Sequence, residues 1–554
     1  MKKIKLQQII DDNISIKKHQ RDLSWGWTAV IWLAYVLSEG DHRKVAVREY
    51  IRGMQYSLSK LTGQKINELD FADDRLTNLL GYLSDKKSWE AIEKSLSENS
   101  IEVHELPKKI ARVDATTASG YHKPIENGLF QFGNSKDDPN RPQLKIMTGS
   151  LDPLGMPLAS DVVSGEKADD GLYVPIINRI HSILSRSGVL YIGDCKLSSF
   201  DNRLHIRGKI EGHYLCPLPN TGKIPEQMQT WINDGNKKDD NDALIKYTVI
   251  NKKGEEVLKA KGYELEREQS GRLDEKKIIW KERVLVVKSP AHERQQVKGL
   301  QRRIENAEKE TYALTPPRGP GKRQIVDEAI LIEKRKAIFK KHRVEKYLTC
   351  EYEKEVERKE KYVGRGRGGK DRKTIIEERV RYQVTNIIRN TEAIKSTKKT
   401  FGWKAFVTDV SKERLDFISI VKSYRKQYSV ERIFNRLKSR LNIAPFYVKR
   451  DDQAKGMAQF LTIGVRIYTL IEFVARRSLK KSGEKLIGLH LENPKKASDI
   501  PTCEKILKAF KKITLTIIDN ENNTQKHLTP LSKLQENILR HLGIDAAIYI
   551  NLQI

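Results

Sequence analysis

Apolar residues recur at helical spacing through AVIWLAYVLSEG and again through DDRLTNLLGYLSDKKSWEAIEKSL, so residues 1–105 are predicted to be helical. The pattern changes near residue 109. KIARVDATTAS reads as a strand, and QLKIMTGSLD and GMPLASDVVSG read as two more with a turn between them. VPIINRIHSILSR reads as an amphipathic helix, and GVLYIGDCK as a short apolar strand ending in a carboxylate. Residues 201–400 have a different character. ALIKYTVI, EVLKAKGYELE and KKIIWKERVLVV alternate as antiparallel strands do. AHERQQVKGLQRRIENAEKETYAL reads as a long charged helix broken by PPRGPG, and DEAILIEKRKAIFKKHRV as another. EYEKEVERKEKYV and TIIEERVRYQVTNII form the arms of a predicted hairpin around GRGRGG. WKAFVTDV then reads as a strand, ERLDFISIVKSYRKQ and YSVERIFNRLKSRL as helices, and GMAQFLTIGVRIYTLIEFVARRSL as a long apolar-faced helix.

Three strands, a helix and a fourth strand are the order that opens a ribonuclease-H-like α/β domain. Such a core needs one more strand and helix, which the pattern does not supply before the insertion. The expected class is therefore α/β. A ribonuclease-H-like catalytic core (106–200 and 401–484) is expected, interrupted by a mainly β insertion (201–400) with charged helices and a basic hairpin. A helical N-terminal domain (1–105), with Arg43, Lys44, Arg48 and Arg52, suits DNA binding, although a helical cap packed on the core fits the pattern equally well. A small C-terminal domain (485–554) is assigned to dimerisation.

Charge narrows the partner. The 554 residues include 103 Lys and Arg against 73 Asp and Glu, a formal net charge of +30. That excess favours a polyanion such as nucleic acid. Within 321–400 basic residues again outnumber acidic ones, and Arg365 and Arg367 in GRGRGG suit phosphate contact at a hairpin tip. The longest apolar run, Trp27 to Leu37, is too short to span a bilayer, and the start lacks the apolar stretch of a secretory signal. Cys195, Cys216, Cys350 and Cys503 form no CxxC pair, which argues against zinc and disulfides and fits a reducing cytoplasm.

Three carboxylates stand out by position: Asp114 mid-strand among apolar neighbours, Asp194 at the end of the fourth strand, and Glu431 near the start of a helix after the core resumes. Taken singly, an aspartate at a strand end is more often a cap, and a glutamate in a basic helix more often half of a solvated ion pair. Converging, the three can hold two divalent ions about 3.5–4 Å apart, one activating the attacking oxygen and one stabilising the leaving oxygen. Magnesium suits such a site, since it accepts a few carboxylates together with water and phosphate oxygens.

YRKQYSVERIFNRLK resembles the Tyr-x2-Arg-x3-Glu-x6-Lys signature of the insertion-sequence-four-like superfamily of bacterial DDE transposases. It reads here as Tyr424, Gln427, Glu431 and Lys438, so three of four positions match. RVDATT, FGNSKDDPNRPQLKIMTGSLDPLGMPLASDVVSGEKADD, YIGDCK, FVTDV and KSRLNIAPFYVKRDDQAKGMAQFLTIGVRIYTLIE resemble, in order, the branch named for insertion sequence 1634. The resemblance implies cut-and-paste transposition by strand cleavage and 3′-hydroxyl strand transfer. Its implied metal ligands are Asp114, Asp194 and Glu431, holding two Mg2+ ions or Mn2+ in their place. Tyr424 and Lys438 would contact DNA near the cleaved end. Gln427 replaces the family's arginine and supplies no charge, leaving Arg425 or Arg432 to compensate. Relatives stack a flipped base on a tryptophan, for which Trp280 and Trp403 are the candidates, with a buried core role as the alternative reading of each. The implied partners are double-stranded DNA (terminal inverted repeats and target) and a second copy of the chain, in a bacterial cytoplasm without a membrane. The competing readings are a stand-alone or domesticated metal-dependent nuclease and a non-catalytic nucleic-acid-binding protein.

Overall fold

A computed structural model describes residues 1–14, 23–222, 224–251, 253–364, 373–490, 492–520 and 523–554. The chain divides into two compact units: Met1–Pro219 with Arg267–Arg283 and Val407–Ile554, and Asn220–Glu266 with Val284–Phe406. It is a mixed α/β protein.

The apolar runs of the first unit become strands β1 (Ile110–Ser119), β2 (Gln143–Leu151), β3 (Met156–Ser164), β4 (Leu190–Ile192) and β5 (His213–Pro217). Their order is β3-β2-β1-β4-β5. β2 is antiparallel to β1 and β3, whereas β4 is parallel to β1 and β5 to β4. Every residue of β2 is buried, as befits a strand covered on both faces.

The fifth strand and its helix differ from the sequence expectation. Phe200–Gly208 is helical and β5 follows at once, so residues 201–217, assigned from sequence to the insertion, supply the fifth strand of this run of the sheet and the helix before it. HYLCP is too short to show a period against its basic flanks. Its place is fixed by contacts from far along the chain. The Asp409 carboxylate accepts from the Tyr214 amide at 2.9 Å and meets His213 and Arg207, and the Thr408 hydroxyl donates to the Tyr214 carbonyl at 2.6 Å. The chain thus leaves after β5 and re-enters the unit beside β5, an arrangement that tolerates a long insertion.

Five N-terminal helices, α1 (Leu6–Asn13), α2 (Trp25–Glu39), α3 (Lys44–Thr62), α4 (Asp73–Ser84) and α5 (Lys86–His104), belong to the first unit and do not form one of their own. The four basic residues expected to suit DNA are paired: Arg43 with Asp41, Lys44 with Asp73, and Arg48 and Arg52 with Glu68. α5 packs on β3, where Glu93 takes the Ser160 amide and hydroxyl and the Arg179 guanidinium.

The long helix Asp451–Ser482 runs through this assembly. By length and composition it could cross a membrane (mean hydropathy 1.3), but 83% of its most apolar window is buried inside the protein, as in a core helix. It approaches α4 so closely that a Cβ on Gly456 would lie 2.0 Å from the Leu80 carbonyl oxygen. Backbone cannot yield as a side chain can. Gly456→Ala should therefore cost about 3 kcal/mol, near the top of the overpacking range, read as a lowered denaturation midpoint. An unchanged midpoint would mean that the two helices part freely. The C-terminal segment closes on the far end of the same helix, burying Leu479, Leu486, Ile506 and Ile538 together.

The second unit is not mainly β. Among its described residues the helices Ile224–Asp240, Pro290–Tyr312, Glu328–His342 and Thr391–Lys399 accompany the strands. Pro290–Tyr312 and Glu328–His342 bury Leu300, Ile304, Leu331 and Phe339 against the root of the expected hairpin, Leu348–Tyr362 paired antiparallel with Thr374–Arg389. The arms of that ribbon pair many of their own charges, Arg358 with Glu378, Lys361 with Glu377 and Arg381 with Glu355. Arg365 and Arg367 lie outside the described residues.

Candidate active site on adjacent strands

The parallel register of β1 and β4 pairs Arg112 with Ile192. Two residues further along each chain stand Asp114 and Asp194, so the register sets the two carboxylates side by side. Burial pushes the Asp114 carboxyl above its usual range; Lys136 opposes this, and Asp194 adds to it as a second negative charge. Lys136 stands with Nζ 3.7 Å from Asp114 Oδ1. Asp194 is oriented by Tyr173, whose hydroxyl donates to Oδ1 at 2.6 Å, and by the Lys196 amide at 2.8 Å. The Tyr173 phenol is raised well above its usual value by burial and by Asp194. Two half-buried carboxylates set side by side attract a cation, a demand that a divalent ion meets.

Tyr424 closes this cluster. Its phenol is raised by burial first, then by the neighbouring charge of Asp194. Its helix, Phe417–Arg425, is tied to β1 by Arg112, a residue 1% exposed whose guanidinium binds Asp152 and the Ser423 carbonyl.

Glu431 does not join the pair in this structure. It is exposed on the helix Tyr428–Asn435, and among the described residues no group of three or more His, Cys, Asp or Glu side chains stands where it could hold a metal ion. Asp114 and Asp194 therefore fit a divalent ion, and the expected third ligand, as it stands, does not. The cause lies in the neighbours of Glu431: Arg432 and Arg436 both bind Glu472 of the long helix, which fixes where the Glu431 helix lies.

The other expected site residues separate. Lys438, in the π-helical turn Arg436–Arg440 that follows, is ion-paired with Asp137. Gln427 precedes the Glu431 helix, with its side-chain oxygen buried and lacking a hydrogen-bond partner among the described residues. Arg425 is exposed at the end of its helix. Arg432 is engaged by Glu472, so it does not stand ready to make up for the missing charge at Gln427. Neither tryptophan offers a ring face to a base. Trp280, 5% exposed, donates its indole N–H to the Tyr214 hydroxyl at 2.8 Å. Trp403, also 5% exposed, packs where a Cβ on Gly235 would lie 2.6 Å from its ring. Sequence reasoning missed Lys136, Tyr173 and Arg112. Lys136 was readable as a charge in NSKDDPN; for the other two no local signal existed.

No protein-family model matches the chain, and no curated protein matches it. Among solved structures it is similar to piggyBac transposase, determined as a synaptic complex with hairpin DNA, at 7% identity over 92% of this chain and 76% of that one, with a TM-score of 0.37.

Proposed function

We propose that the protein is a DDE-type DNA transposase, with Asp114 and Asp194 as the first two metal ligands of a ribonuclease-H-like core. The observation that carries this reading is the pair itself: one carboxylate on β1 and one just past the end of the parallel strand β4, the latter oriented by a buried tyrosine. The order β3-β2-β1-β4-β5, with β2 alone reversed, supports the ribonuclease-H-like assignment. The Tyr424, Glu431 and Lys438 spacing supports membership in the insertion-sequence-four-like superfamily. A bound Mg2+ or Mn2+ would act as a Lewis acid on phosphate oxygens. The chain's own groups have separate tasks. Tyr173 keeps Asp194 facing the site, Lys136 balances Asp114 in the resting protein, and Lys438 meets a backbone phosphate. Two copies would act on paired element ends.

The test uses the purified protein with duplexes taken from the DNA that flanks its gene. Mg2+-dependent nicking at an inverted repeat is expected. Affinity should fall with salt by about 0.9 log units per log unit of salt for each phosphate neutralised. Flat salt dependence with no cleavage in Mg2+ or Mn2+ would reject the reading.

A further inference from the structure

The segment between β1 and β2 lies against Asp114. Its Lys136 amide donates to the Thr117 hydroxyl at 2.8 Å, and its Lys136 ammonium donates to the Ala115 carbonyl while facing Asp114. The next residue, Asp137, binds the ammonium of Lys438. The side chains of that pair are only 24% and 18% exposed, so it is screened less than an ordinary surface pair. Within the segment, Arg141 pairs with Asp138 at 3.1 Å and covers the Tyr121 ring at 4.2 Å, which ties its two ends together. An anchored carboxylate on a cation is the charge arrangement that a DNA phosphate would otherwise make with the same cation.

We propose that Asp137 is an internal phosphate mimic: in the DNA-free protein it masks Lys438, and an incoming strand must displace it. The mask rests on the reading of Lys438 as a DNA contact. Lys136 keeps the mask in place, because its backbone and side chain both bind β1. The segment therefore opposes non-specific DNA binding. The opposition is removed when a backbone phosphate takes the ammonium.

Fluorescence anisotropy with a labelled duplex oligonucleotide in EDTA tests this without catalysis. Asp137→Asn should tighten binding about fivefold, the worth of one partly buried ion pair. The same change made on a Lys438→Gln background should give no gain, because the masked cation is then absent. Thermal unfolding of each variant checks the fold, and Asp137→Ser serves if Asp137→Asn is unstable. Unchanged or weaker binding by Asp137→Asn overturns the mask alone. An equal gain on the Lys438→Gln background also overturns it, since that is a general charge effect. Absence of duplex binding by every variant, wild type included, overturns the nucleic-acid reading and the mask with it.

Discussion

Asp114→Asn and Asp194→Asn should each lower metal-dependent DNA cleavage on the order of a thousandfold or more, since each removes a ligand whose ion supplies several kcal/mol of transition-state stabilisation. Duplex binding should persist, because an amide keeps the shape of the carboxylate and, in the Asp194→Asn variant, its oxygen still accepts from the Tyr173 hydroxyl. Stability should not suffer either. Burial raises the Asp114 carboxyl, so its ionisation opposes folding: the favourable contribution is present at acid pH and is lost as pH rises through the folded value. Asp114→Asn should therefore melt at or above wild type at neutral pH in EDTA. Gel-based cleavage beside anisotropy separates the two effects, and near-normal cleavage by either variant would show the residue misassigned. The DDE reading requires Glu431 to join the pair once metal and DNA are bound, so on that reading Glu431→Gln should lose cleavage as well; retained activity would leave the aspartate pair as the whole carboxylate set.

The second large effect concerns stability. Glu472, 3% exposed, binds Arg432 and Arg436, lies 3.5 Å from Arg476, and accepts from the Cys503 amide at 2.9 Å. Truncation to alanine leaves the buried Arg436 with Glu504, at 3.2 Å, as its remaining charged partner. Removing one partner of a buried ion pair costs about 3–5 kcal/mol, and the residual contact with Glu504 puts Glu472→Ala toward the lower end. Denaturant unfolding reads the cost. Hydrogen exchange should show the loss concentrated in the Glu431 helix Tyr428–Asn435, which this cluster holds to the long helix. A midpoint equal to wild type, with exchange in that helix unaltered, would show that packing alone holds it.

Local pattern carried much of the architecture. The runs around Ile146 and Leu158 specify strands because their neighbours must be buried on both faces, and the helical spacing of Ile176, Ile177, Ile180 and Ile183 specifies the helix Tyr173–Leu184. Asp114 and Asp194 were visible for the same reason: an acid within or beside an apolar strand is costly without a partner. What pattern could not supply was the choice of partner. β5 is five residues long, and its place depends on Thr408 and Asp409, which return to it only after the insertion. The burial of Trp280 depends on Tyr214, and the pairing of Arg432 depends on Glu472. Arg432 and Lys438 are both basic and near each other in sequence, yet one meets a buried carboxylate on the long helix and the other an acid on the segment before β2. Periodicity is a property of a few consecutive residues, so the chain itself determined most of its strands and helices and marked the two aspartates. Ion pairs and ring packing join residues hundreds apart, and only the tertiary structure decided which charges remain available and that Glu431 stands outside the pair.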